Sequence, residues 1–183
     1  GMVSTLPTTE DPIFVYDTVN HKVLRLGYLY DDSGNISIFQ MNEFPIAVSG
    51  GNCNKGSSNI ADHDAGAMAV HPSGKWLFGA GKEFVWIMDV QEGSNDFGKE
   101  IWHYDATDSF TDDSNYDKLL GGNNISGSYM ALSPDGKYFS VMTKNGCVWH
   151  FKFDENNPSG GTSLLGKNAG SNSTIWIDFS GSS

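Results

Sequence analysis

The chain repeats itself. Residues 68–78, MAVHPSGKWLF, lie over residues 130–140, MALSPDGKYFS, at an offset of 62. Five of the eleven positions are identical, and Val70/Leu132, Trp76/Tyr138 and Leu77/Phe139 are conservative exchanges. The register survives the following turn, where Val85-Trp86 meets Val148-Trp149 at an offset of 63. Agreement across two separated segments makes the unit structural, and such a unit has to bury its apolar faces against its neighbours.

Each unit reads as four short strands. Ala67 to Val70 is a short apolar run, and His71-Pro72-Ser73-Gly74 turns the chain: proline presets φ and glycine accepts a positive one. Trp76 to Gly79 returns, and Phe84 to Val90 is a third strand rich in aromatic and β-branched residues. Lys99 to Tyr104 is the fourth. The second unit follows with Tyr129 to Leu132, Tyr138 to Met142, Cys147 to Phe153 and a weaker strand near Ser163 to Gly166. Four antiparallel strands in meander order make the blade of a β-propeller. No stretch has the i, i+3, i+4, i+7 spacing of an amphipathic helix.

The expected fold class is therefore all-β, with tandem four-stranded meander blades that leave the ring incomplete. Ile13 to Thr18 matches a third strand, with Asp17 opposite Asp89, and Lys22 to Leu29 follows as a fourth. Thr174 to Gly181 lies over Tyr129 to Gly136. The expected layout is a partial blade over 13–30, an irregular insertion over 31–59, a blade over 60–106, an insertion over 107–126, a blade over 127–168 and the start of another over 173–183. Within the first insertion, Asn35 to Gln40 alternates like a strand and Glu43 to Val48 reads as another. About three blades are too few to close a ring, which takes about four to eight. Two readings stay open: a piece of a longer protein, or copies that associate head to tail to complete a ring.

Composition narrows the partners. Acidic residues outnumber basic ones by 22 to 11, for a formal charge of −11, which repels a phosphate backbone and argues against nucleic-acid binding. Cationic or neutral ligands, sugars, divalent cations and proteins stay open. No stretch approaches the ~18–20 apolar residues of a membrane-spanning helix. The first twelve residues have neither the basic nor the apolar region of a signal peptide. The richness in Asn, Ser and Gly leans towards an exported protein. Cys53 and Cys147 show no metal-binding spacing.

The two turns, HPSGKWLF and SPDGKYFS, resemble the first-to-second-strand turn of lactonase-like and YVTN-type propellers, whose repeats carry a His/Ser-Pro-Asp/Ser-Gly-Lys turn before an aromatic strand. The resemblance covers about 24 residues in each of two repeats. It implies a propeller and carries no catalytic residue onto this chain, because the group contains sugar lactonases, dehydrogenase subunits and binding proteins alike. WD40-like repeats match less well, since neither the Gly-His opening pair nor the Trp-Asp closing pair occurs in place.

Chemistry concentrates at Asp62-His63-Asp64, with His71 nearby. Two carboxylates and an imidazole before an innermost strand would sit at a channel mouth, where they could bind a ligand or a divalent cation or act as acid and base. The competing reading is that they cap turns, and His71 occupies a turn position that is Ser133 in the next repeat. Asp108, Asp112, Asp113 and Asp117 lack the glycine and terminal glutamate of a calcium loop and read as a solvated acidic loop. The tryptophans on strands read as packing between blades. No GxSxG, HExxH or phosphate-loop motif is present, so catalytic residues and metal ligands stay unassigned and no cofactor is expected beyond that possible cation.

The organisation favours a non-catalytic module that binds a ligand or a protein on the face carrying residues 49–66 and 105–128. The alternative is a lactonase-like hydrolase whose site needs further blades. A structural repeat of a larger surface protein is the third reading.

Overall fold

The computed structural model describes residues 12–17, 19–20, 22–45, 66–81, 84–105, 129–142 and 148–168. Within them the chain forms three antiparallel sheets. The first holds β1 (Ile13–Asp17), β2 (Lys22–Tyr30) and β3 (Ile36–Pro45). The second is a four-stranded meander of β4 (Ala67–Val70), β5 (Trp76–Ala80), β6 (Phe84–Asp89) and β7 (Glu100–Asp105). The third repeats it with β8 (Tyr129–Leu132), β9 (Tyr138–Met142), β10 (Val148–Lys152) and β11 (Ser163–Asn168). A single helical turn, α1 (Pro158–Gly161), joins β10 to β11 and is capped by the Asn157 side chain. The architecture is that of β-propeller blades, and these sheets do not close a ring.

The repeated turn explains why the meanders match. In both, the amide of the first turn residue bonds back across the hairpin, His71 to Trp76 at 2.9 Å and Ser133 to Tyr138 at 2.8 Å. Gly74 and Gly136 supply the positive φ, 72° and 71°. With the turn pinned, period-2 alternation sends each strand's residues to opposite faces. Phe78, Ala80, Val85 and Ile87 face the third sheet, where Phe139, Val141, Trp149 and Phe151 meet them in one buried core. Leu77, Trp86 and Met88 take the opposite face and close a second core with Val23 and Phe44 of the first sheet. Gly79 is needed here, because a Cβ at that position would overlap the Trp86 indole. Trp86 and Trp149 are both fully buried, so the tryptophans of the third strands do join neighbouring blades.

The first sheet corrects the sequence reading. Residues 31–45 are not irregular: β3 runs for ten residues and pairs along the whole of β2 with one bulge. β2 is thus a central strand and cannot be the fourth strand of a blade. Asp17 does resemble Asp89 locally, since each carboxylate caps the turn that follows it: Asp17 accepts from the amides of Val19 and Asn20, and Asp89 from that of Gln91. A shared cap misled the alignment because Asx-type turns follow strands at many places in a sheet. The readings that fall on 46–65, 106–128, 143–147 and 169–183, Cys53 and Cys147 among them, lie outside the described residues.

Candidate functional site

β4 lies beside β8, and the turns that follow them are in contact. At this junction of the second and third sheets a cleft of about 430 Å³ opens, lined by His71, Asp135, Lys137, Lys152 and Glu155 among others. His71 forms its inner wall. Only 4% of the residue is exposed, and its ring lies between Phe78 and Phe153, at centroid distances of 6.0 and 5.1 Å. Nδ1 accepts the Ser73 amide at 3.1 Å and lies 2.7 Å from Ser73 Oγ. Nε2 is against Gly136, whose backbone hydrogen-bonds the imidazole. Burial lowers the pKa of His71, and the Glu155 carboxylate opposes that shift. Nδ1 is thus engaged within its own turn and Nε2 with the neighbouring one.

The acids of the cleft are equally committed. Asp135 is held below the usual carboxylate range by the Ser133 hydroxyl, which donates at 2.6 Å, and by the Lys137 amide. For Glu155, burial raises the pKa, but a hydrogen bond from Ser73 and the positive groups of His71 and Lys75 outweigh it and leave a net lowering. Its carboxylate lies 3.5 Å from Lys75 Nζ. Ser73, His71 and Glu155 do not form a relay, because the acid reaches the serine rather than the second nitrogen of the imidazole.

This pairing recurs one blade earlier. Glu92, three residues beyond β6, holds Arg25 of β2, just as Glu155, three residues beyond β10, holds Lys75. Arg25 is buried and also lies against the Phe97 ring, 5.9 Å from its centroid. The sequence reading missed both pairs. Their one signal was the 63-residue offset of the two glutamates, which says nothing about the bases they meet.

Asp62, His63 and Asp64 lie outside the described residues, as do Asp108, Asp112, Asp113 and Asp117. His71 leaves the end of β4 remote from residue 66, across a four-residue strand of ~13 Å. Proximity to 62–64 in sequence therefore does not carry His71 to the end where β4 begins. The connections over 46–66 and 106–128 enter β4 and β8 at that end, and the tight turns close the other. Among the described residues no group of three or more His, Cys, Asp or Glu side chains is arranged to hold a metal, and no helix is long and apolar enough to cross a membrane.

No protein-family model matches the chain, and no curated protein matches it in sequence. Solved structures do resemble it. The 6-phosphogluconolactonase candidate of Bacteroides uniformis is 17% identical with a TM-score of 0.54, over 89% of this chain and 39% of that one. The corresponding candidate of Bacteroides fragilis is 15% identical with a TM-score of 0.46, over 84% of this chain and 37% of its own. The β-propeller domain of Cps50 (Swd1) from Myceliophteria thermophila is 13% identical with a TM-score of 0.44, over 80% and 41%. The chain thus spans about two fifths of the length of these three structures, and the likeness concerns the fold.

Proposed function

We propose that this chain is a non-catalytic, ligand- or protein-binding part of a β-propeller, which binds at the end where 46–66 and 106–128 enter the inner strands. The observation that carries this reading is the asymmetry between the two ends of the blades. One end is closed by short turns whose histidine and acids, His71, Asp135 and Glu155, are spent on neighbouring groups of the turns. The other receives two connections of more than twenty residues, and long connections on a rigid scaffold are where binding residues concentrate. Asp62, His63, Asp64, Asp108, Asp112, Asp113 and Asp117 make these segments acidic, which favours a cationic or neutral ligand, a basic protein segment or a divalent cation. The test is a calcium titration by calorimetry and thermal shift, run beside a lactone-hydrolysis assay, on the wild type and on an Asp62→Asn/His63→Ala/Asp64→Asn variant. Saturable hydrolysis that the variant loses would sink the non-catalytic reading.

A lactonase-like hydrolase is the second reading, favoured by the structural likeness to the Bacteroides uniformis protein. Its site would draw on blades beyond the three sheets, and the acidic charge would work against a phosphorylated lactone.

A further inference from the structure

The turn after β4 could close without its histidine. In the other repeat Ser133 takes the same place and holds the turn through its own hydroxyl, with the same backbone bonds and a matching positive φ at its glycine. A Cβ at Gly74 would meet open space, whereas the corresponding space at Gly136 is filled by the His71 ring. His71 therefore spends its side chain on the neighbouring blade. Its bond to the Gly136 backbone favours the protonated imidazole, so the ring donates there, and Nδ1 is left to accept the Ser73 amide. Such a ring is neutral, and it is held between Phe78 and Phe153.

Opposing forces act on that ring. Burial, the largest, disfavours its charge, whereas Glu155 and Asp135 favour it and Lys75 works against them. The carboxylates stand on the open side. Asp135, Asp154 and Glu155 line the cleft together with Lys137 and Lys152, and His71 is its inner wall. A proton on the docked ring is thus penalised where the ring sits and attracted towards the cleft, which is the condition for two discrete positions. We infer that His71 is an acid-operated latch between the second and third sheets: on protonation its ring leaves Phe78 and Phe153, releases Gly136 and swings into the cleft towards Glu155 and Asp135. Acid then loosens one blade junction locally and opens the slot between two aromatic rings. The latch works between pH 7 and 5, the range in which histidine changes charge. Asp135 and Glu155 are both held below their ordinary values, so they stay ionised throughout it.

An NMR titration of the intact chain from pH 8 to 5 tests the latch. His71 should titrate below 6.5, and its ring protons should lose the ring-current displacement of the Phe78–Phe153 slot with the same midpoint. The Gly136 amide should shift with them. His150, bound to Ser140 within its own sheet, is the internal control and should titrate without moving Gly136. His71→Gln, which cannot take the charge, should abolish the Gly136 response and leave the His150 curve as it was. Ring protons that keep their displacement through the titration would mean that Nδ1 passes its new proton to Ser73 Oγ, 2.7 Å away, without leaving the slot, and would overturn the latch. A Gly136 response that survives His71→Gln overturns it too. Should that variant fail to fold, the wild-type titration decides alone.

Discussion

The second and third sheets share a register but use it differently. At the middle of the second and third strands, one holds Phe78 opposite Ile87 and the other Ser140 opposite His150. The first pair is fully buried in the core between blades, whereas both members of the second are only partly buried. Their turns diverge in the same way. His71 is docked into the neighbouring turn, while Ser133 bonds within its own, accepting the Tyr138 amide at 2.9 Å. A repeat therefore conserves the backbone and leaves each side chain to whatever covers it. Position in the series, more than position in the blade, decides polarity.

Emptying the shared core should have the largest effect. Phe151 stacks on Phe139 at 4.8 Å and meets Trp102 and Tyr104 edge-on. Phe151→Ala should cost about 3–5 kcal/mol in denaturant unfolding, against less than about 1 kcal/mol for truncating the exposed Leu165 of the third sheet. Equal losses would mean that the two sheets do not share a core.

The two turn glycines differ by less. Gly74→Ala meets open space and carries only the strain of a positive φ, about 1 kcal/mol. Gly136→Ala has the same φ but drives a methyl group into His71, so it should cost roughly 1–3 kcal/mol more. Thermal unfolding of the two variants side by side checks this, and indistinguishable midpoints would separate the turns.

Histidine titration gives a third difference. Burial lowers the pKa of both His71 and His150 from 6.5, so the folded protein favours their neutral forms. That preference costs nothing above the ordinary histidine range, and stability falls as pH drops through 6.5 towards the depressed folded values. His71→Ser, which copies the other turn, should flatten the slope between pH 7 and 5 in pH-dependent melting, with His150 supplying what remains. A slope unchanged by His71→Ser would show that its burial carries no linkage.

The smallest effect belongs to the exposed ion pair. Lys75→Ala should cost a few tenths of a kcal/mol, fading in 0.5 M salt, whereas Arg25→Met disturbs a buried guanidinium and should cost ~2 kcal/mol or more. A double-mutant cycle with Glu155 and Glu92 measures each coupling.

Much of the fold was legible because proline and glycine punctuate the hairpins. Ala67–Val70, Tyr129–Leu132 and Tyr138–Met142 were read with the bounds they have. The first sheet was misread because the Asp17 cap looks like Asp89, and nothing local in 36–45 says that those residues pair with β2 across the Asp31 turn. Of the candidate site, the acidic residues over 62–64 could be named but not placed, and His71 was grouped with them because distance along a chain ignores which end of a strand a residue leaves.

The blade is written in the chain: its turn chemistry, its alternation and its 62-residue repeat are local, and hydrogen bonding within a hairpin needs no distant partner. What the blades do to one another came from their packing. It put His71 against Gly136 and Glu92 on Arg25, and it buried the Phe78–Ile87 pair between sheets while leaving Ser140–His150 half-buried. Contacts between residues more than sixty positions apart depend on how sheets stack, and stacking is set by the summed burial of whole faces, which no single motif carries.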